Sequence, residues 1–284
     1  MRTLPESPAA VPAAQPAPGF GPALRRWRLL RQRTQQALAL DAEVSTRHLS
    51  WLESGRAEPS RAMVLKLAHA LDVPLRERNA LLQQAGYAPM FRAREWADPA
   101  LAPAHAAMQR LLAAHEPWPA LAVDRHWNLV HANRAVSLLL PMAALWLVAP
   151  PINVLRLSLH PEGLAPMIEN LPAWRHHVLH RLARQAHHSA DPALHALHAE
   201  LQALPRALPT VGQAQANDEQ FDTHPDSPVV PLVLNTPHGR LSFLTTVTVF
   251  GAPHDPAVSE LAIETLLPAD DATSAALRAL VPAG

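Results

Sequence analysis

Between Ala23 and Ala85 apolar residues recur at helical spacing in five short blocks separated by polar turns. Leu24 and Trp27 open the inward side of the first block. Thr34 is placed to cap the second, with Leu38 and Ala39 inward, and Ser45 to cap the third, with Leu49 and Leu52 inward. Pro59-Ser60 starts a fourth, in which Val64, Leu67, Ala68 and Leu71 follow the i, i+3, i+4, i+7 pattern. Pro74 opens a fifth, carrying Leu75, Leu81, Leu82 and Ala85, and Gly86 is positioned to end it in a left-handed conformation. Helices this short are marginal alone. The pattern therefore predicts an all-α module over residues 21–88, preceded by a Pro- and Ala-rich disordered leader (1–20) and followed by a linker (89–100).

From residue 101 to 284 the period changes. A helix is expected over Ala102–His115. The runs Ala120–Asp124 and Trp127–Ala132 then read as a β-hairpin turning at Arg125-His126. Asn133 is placed to cap a helix through Ser137. Helical stretches follow at Pro161–Asn170, Pro172–His188 and Pro192–Leu204, and the polar, acidic segment Pro205–Pro228 reads as a mobile loop. Strand patterns return at Val229–Leu234 and Arg240–Phe250 around the turn Thr236-Pro237-His238-Gly239. A strand or helix near Glu260–Leu267 precedes a helix at Asp271–Leu280. The second part is thus expected to be α+β with an antiparallel sheet.

Charge sharpens this division. The formal net charge is zero, yet residues 21–94 hold 13 Lys and Arg against 6 Asp and Glu, and residues 95–284 hold 10 against 17. A basic first module joined to an acidic remainder suits a chain that meets a polyanion at one end. The absence of cysteine excludes disulfides, thiol catalysis and Cys-based zinc sites, and accords with a reducing cytoplasm. The uncharged stretch Ala135–Leu155 approaches the length of a membrane span, but Pro141, Pro150 and Pro151 break it, so a buried or partner-covered segment is expected and no membrane partner.

The most specific pattern is Thr34–Arg56, TQQALALDAEVSTRHLSWLESGR. A DNA-reading helix-turn-helix needs one helix crossing the phosphate backbone, a short turn, and a second helix whose first residues enter the major groove. Gln35, at the start of the first of these helices, is placed to meet a phosphate. The turn runs through Asp41-Ala42-Glu43-Val44, with Val44 expected to plug the corner. Ser45, Thr46 and Arg47 open the recognition helix. Leu49 and Leu52 face inward, leaving Thr46, Arg47, Ser50 and Trp51 outward or on the flank. Arg47 can bond a guanine edge bidentately, a contact worth ~1–3 kcal/mol of discrimination. Arg56 and Ser60 are placed to touch phosphates. These positions predict double-stranded DNA as a partner.

In its pairs Thr34-Gln35, Leu38-Ala39, Val44-Ser45, Leu49-Ser50 and the run Glu53-Ser54-Gly55-Arg56, the segment resembles the lambda-repressor/Cro-like (XRE-family) helix-turn-helix. It departs at Glu43, where many members carry Gly, and at Arg33, where an apolar residue is common. The resemblance continues through STRHLSWLESGRAEPSRAMVLKLAHALDVPLRERNALLQQAGYAP into the regulators that carry a MmyB-like, PAS-type ligand-binding domain. VDRHWNLVHANRA, NVLRLSLHPEGLAP and GRLSFLTTVTVFGAPHD resemble landmarks of that domain. The resemblance implies a PAS-like sheet with helices over one face, homodimeric assembly, and a pocket for a fatty-acid-like or other apolar ligand.

Trp127, Asn133, Trp146, Phe243 and Phe250 are candidate lining residues for such a pocket; ordinary core packing, with Asn133 as a helix cap, is the plainer account of each. His176/His180 and His195/His198 share helix faces at metal-ligand spacing, but no carboxylate or cysteine completes a site, so no metal is expected. No phosphate-binding loop or nucleophile elbow is present, which argues against an enzyme, and no cofactor is required. The expectation is a cytoplasmic, homodimeric, DNA-binding transcription regulator on a pseudo-palindromic operator, responsive to an apolar ligand. One alternative makes the C-terminal domain only a dimerisation or protein-interaction module; another, less favoured, is a metal sensor.

Overall fold

The apolar spacing of the first part resolves into five helices: α1 (Phe20–Leu30), α2 (Gln35–Asp41), α3 (Thr46–Glu53), α4 (Arg61–Ala70) and α5 (Leu75–Gln84). The computed structural model describes residues 19–205, 229–251 and 253–281, and the chain divides into two compact units, one running to Met90 and the other beginning at Phe91. Hydroxyls set three of the helix starts. Thr34, Ser45 and Ser60 accept hydrogen bonds from the amides of Ala37 (3.0 Å), His48 (3.1 Å) and Met63 (3.2 Å), satisfying donors a helix leaves open.

All five helix ends share one device. Gln32, Glu43, Gly55, Asp72 and Gly86 take positive φ, and the amide after each reaches five residues back, as in Val44 to Ala39 O (2.9 Å), Val73 to Ala68 O (2.9 Å) and Tyr87 to Leu82 O (2.8 Å). Leu24, Trp27, Leu38, Leu49, Leu52, Val64, Leu67, Leu81 and Leu82 are buried together as the apolar period predicts. Two expectations are corrected here. The interhelical corner is filled by Ala42, which is fully buried, while Val44 is only half-buried. Helix α1 begins at Phe20, itself buried, so the end of the expected leader belongs to the fold; residues 1–18 of that leader lie outside the described residues.

In the second unit α6 (Ala102–Ala114) leads into the hairpin β1 (Ala120–Val123) and β2 (Leu129–Ala132). There follow α7 (Val154–Leu159), α8 (Leu171–Ser189), α9 (Pro192–Ala203), β3 (Leu232–Thr236), β4 (Gly239–Val249), the short α10 (Pro256–Ser259), β5 (Ala262–Pro268) and α11 (Asp271–Leu280). The strands form one antiparallel sheet in the order β2-β1-β5-β4-β3, so the unit is α+β with an antiparallel sheet, as expected. Strand alternation sorts its faces. Val123, Leu241, Phe243 and Leu266 pack with Trp174, Val178 and Leu182 of α8 and Leu194 and Leu197 of α9. Ala120, Ala122 and Ile263 face the other way, onto Met108 and Leu112 of α6. The sheet therefore carries helices on both faces and not on one.

Other segments differ from their expected form. Within Pro161–Asn170 only a 3-10 turn at Ala165–Met167 forms, because Asn170 turns the chain by bonding Pro231 O (2.8 Å) and the Val233 amide (3.2 Å). Ala135–Leu155 breaks into 3-10 turns at Arg134–Leu138 and Leu140–Met142; Leu139 and Leu147 are buried, whereas Leu145 is 86% exposed. Helix α7 had no counterpart in the apolar pattern. In the stretch 89–100, expected as a linker, Arg94 bonds Asp255 (2.7 Å) and Trp96 packs beside Met108 and Leu112, which ties it to the second unit. The expected loop Pro205–Pro228 lies outside the described residues beyond its first one. Among the described residues no helix is long and apolar enough to cross a membrane.

Candidate nucleic-acid interface and ligand domain

The interface is built outward from a buried ion pair. Arg28 of α1 donates two hydrogen bonds to Glu53 at the end of α3, Nε to Oε1 (2.6 Å) and Nη2 to Oε2 (2.8 Å), and Gln35 of α2 adds a third to Oε2 (2.8 Å). Gly21 lets α1 approach at this point, since a Cβ there would stand 2.6 Å from Leu52 O. Burial pushes the Glu53 carboxyl up, but hydrogen bonds from Arg28 and Gln35, with the charges of Arg28 and Arg25, outweigh it and hold it below the usual range. Three helices are thus locked through one carboxylate, and α3 is presented at a fixed angle.

On α3, Leu49 and Leu52 are buried, Thr46 and Arg47 are exposed, and Ser50 is half-exposed, as the helical period requires. The Arg47 guanidinium lies over the Trp51 ring, 4.5 Å from its centroid, which restricts a flexible side chain. Ser45 is exposed and its oxygen is engaged as the α3 cap; Ser60 does the same for α4. Arg56 is exposed beyond α3, with its amide bonded to Trp51 O (2.8 Å). Thr46, Arg47, Ser50, Arg56, Ser45 and Ser60 therefore lie on or beside the outer side of α3 and the start of α4. Gln35 is placed differently: its amide group is half-buried and engaged with Glu53. Glu43 has φ 48° in the turn and pairs with Lys66 (2.6 Å); Arg33, the other departure, pairs with Asp41.

The five candidate lining residues of the second unit do not converge. Trp127 and Phe243 share the core between the sheet and α8, Phe250 packs on the α6 side, and Trp146 is 55% exposed with its indole bonded to Glu162 (3.0 Å). Asn133 does not cap the following turn with its side chain. It accepts from the Ala120 amide (3.1 Å) and donates to Leu112 O (3.1 Å) and Trp118 O (2.8 Å), stitching α6 to the hairpin.

A polar group within the apolar core had no candidate in the sequence reading. Arg181 of α8 lies over Trp127, 4.3 Å from the ring, and its Nη1 stands 2.6 Å from Oε1 of Glu264 in β5. Neither that oxygen nor Arg181 Nε has a hydrogen bond of good geometry, and both atoms are buried. Burial pushes the Glu264 carboxyl up, beyond what Arg181 offsets. Trp127 donates to Gln185 (2.7 Å) at the same place. The sequence clue was a charged residue at an inward position of an otherwise uncharged strand, Ala262–Leu267. The stacked pair His176/His180 belongs to no larger set: among the described residues no group of three or more His, Cys, Asp or Glu could hold a metal.

A helix-turn-helix with a polar outer side, followed by a helix-covered antiparallel sheet, defines a DNA-binding transcription regulator of two modules. Comparison with known proteins agrees. Residues 24–78 match a helix-turn-helix family model, and residues 104–280 match the MmyB-like transcription regulator ligand binding domain. The second match spans more than half of the chain, which therefore belongs to the MmyB-like transcription regulators. Among solved structures, the clp gene regulator ClgR from C. glutamicum is similar at 34% identity over 24% of this chain and 83% of that one (TM-score 0.21). An RNA-binding light-oxygen-voltage receptor is similar at 12% identity over 91% of this chain and 62% of that one (TM-score 0.24). No curated protein matches.

Proposed function

We propose that the chain is a sequence-specific regulator acting in the cytoplasm as a two-fold dimer on a pseudo-palindromic operator, its affinity set by a small apolar, fatty-acid-like ligand in the second unit. The observation that carries the DNA reading is the division of α3, with Leu49 and Leu52 buried and Thr46, Arg47 and Ser50 turned outward. One such helix spans too few base pairs for useful selectivity, which favours two half-sites about one turn or a multiple apart. The ligand reading is supported by an apolar core that holds one partly satisfied polar group, Arg181 with Glu264, to which a polar head group could bond. A ligand acts only as far as it favours one dimer arrangement, with a typical coupling of about 5- to 150-fold in operator affinity.

Binding-site selection with the parent and Arg47→Ala tests the readout. Arg47→Ala is expected to lose about 1–3 kcal/mol and the preference at one base pair per half-site. Gln35→Ala, which removes a donor to Glu53, should weaken all sequences alike by loosening the joint that holds α3. Unchanged preferences in Arg47→Ala would remove α3 as the reading helix. Operator affinity at fixed salt with and without medium- and long-chain fatty acids tests the sensor. A second reading, in which the second unit only binds protein, is favoured by exposed Leu145, Trp146, Val247 and Val249, and is promoted if no apolar ligand stabilises that unit.

A further inference from the structure

β4 is 11 residues long and β3 only five. Their pairing runs from Gly239 to Phe243 and stops, while β4 continues against β5 as far as Val249. In the same register the residue facing Leu244 would be Pro231, which has no N–H to donate and whose carbonyl is taken by Asn170. Along residues 244–249, the side of β4 away from β5 therefore pairs with no strand among the described residues.

The other free edges of the sheet are dressed. Beside β2, the Leu129 amide donates to Ile152 O (2.7 Å) and Asn128 bridges Asn153. Beside β3, Glu169 donates to Val233 O (2.9 Å) and Ile168 bridges Leu234. The open stretch reads Leu-Thr-Thr-Val-Thr-Val. It has no charge, proline or glycine, five of its six residues are β-branched, and Val247 and Val249 are 47% and 61% exposed. Among the described residues this stretch shows none of the usual protections of an edge strand. The residues just before β3 suit it poorly as an occupant, because the sequence places Pro225, Pro228 and Pro231 at three-residue intervals.

We infer that residues 244–249 of β4 form a dimerisation edge that pairs antiparallel with the same residues of a second copy, joining two sheets across a two-fold axis. This rests on the dimer reading above and supplies its surface. Antiparallel self-pairing closes after two copies, each strand meeting its own sequence in reverse. An uncharged strand does so without like charges facing each other at the axis, which a mixed or basic edge could not avoid. With the axis at Val247 that valine meets its symmetry mate and Val249 faces Thr245, and the outward N–H and C=O groups find partners.

Sedimentation of the full chain over a range of concentrations, with hydrogen exchange of the 244–249 amides, tests the inference. The parent is expected to dimerise, with these amides protected only where dimer forms. Val247→Lys and Val247→Glu, each at an exposed position that leaves the fold intact, should each raise the dissociation constant at least about tenfold. An equimolar mixture of the two should recover a heterodimer. A parent dimer with unprotected 244–249 amides, or one unaffected by either variant, would overturn the edge and leave the dimer reading standing. A parent that stays monomeric at every concentration would overturn both. Protection that persists in monomeric variants would show the edge covered within one chain, and so also overturn the inference.

Discussion

Among the described residues each unit sets an arginine–glutamate pair against its core, and the two are built to different standards. In the DNA-binding module Arg28 grips both oxygens of Glu53, Gln35 adds another donor, and the side chains are only 9% and 4% exposed. In the ligand domain Arg181 meets a single oxygen of Glu264, and buried polar atoms on both partners lack good hydrogen bonds. The carboxyls shift accordingly, Glu53 below its ordinary range and Glu264 above it. A fully satisfied network makes a rigid joint, while a half-satisfied one in low dielectric is costly and open to rearrangement. The reading head is fixed by its pair; the second unit keeps one whose hydrogen-bonding capacity is only partly used.

The largest test of this contrast breaks the first pair. Glu53→Leu leaves Arg28 buried without its counter-ion, and loss of about 3–5 kcal/mol is expected. That is comparable with the whole stability of a module this small, at about 0.05–0.15 kcal/mol per residue. Hydrogen exchange in α1 and α3 should become fast and operator binding should disappear, while α8 and the sheet keep their protection. Persistence of α1 protection in this variant would mean the joint is not structural.

Replacing both members of the second pair should do the opposite. Arg181→Met with Glu264→Leu removes an ion pair whose desolvation is poorly repaid, so the ligand domain is expected to hold its stability or gain about 1–4 kcal/mol. Thermal unfolding reads this directly. A strong loss would show that the pair is better satisfied than its geometry allows.

Why the joint and the polar group escaped the sequence is physical. Helical period and caps follow from local chemistry, so the helices of the first unit, their Thr34, Ser45 and Ser60 caps, and the outward set Thr46, Arg47 and Ser50 were all legible. Glu53 sits next to Leu52 on the buried side of α3, but an acid at an inward position gains meaning only when Arg28, 25 residues earlier, is brought to it. The same holds for Glu264 and Arg181. Non-glycine helix ends at Gln32 and Asp72 were equally silent, because tertiary packing and not residue type holds them left-handed; Glu43 was marked only by the resemblance, which places Gly there. Asn133 was misread for the converse reason: its local capping chemistry lost to three partners supplied by the fold.

Acidity should separate the units with opposite sign. The Glu53 carboxyl is lowered in the folded state, so its contribution is present above the ordinary carboxylate range and is lost as pH falls through its folded value. For Glu264 the folded value is raised, so its contribution is full below the ordinary range and is lost as pH rises through the folded value. Below the ordinary carboxylate range local exchange should show α3 tightening as pH rises, and above that range it should show β5 loosening. Parallel behaviour of both would break the contrast.

The smallest effect comes from how helices end in the two units. Helix α5 stops at Gly86, φ +80°, and α8 stops at Ala190, φ 55° and ψ 25°, whose amide bonds Ala186 O (3.0 Å). A left-handed alanine costs about 1–2 kcal/mol, while glycine gives back about 0.4–1 kcal/mol through its freer unfolded chain. The balance makes Ala190→Gly stabilising by about 0.5–1 kcal/mol and Gly86→Ala destabilising by about as much. An added Cβ at Gly86 would meet nothing within 4 Å, so the loss there is a backbone effect free of any clash. Scaled by domain size, Gly86→Ala should lower the melting of the first unit by about 2–8 °C, and Ala190→Gly should raise that of the second by about 1–4 °C. The two shifts carry opposite signs and appear in different units, so exchange followed separately in α5 and α8 assigns each one. Destabilisation by Ala190→Gly would mean that α8 does not end left-handed in solution, and that its last turn is held by something other than the Ala186 carbonyl.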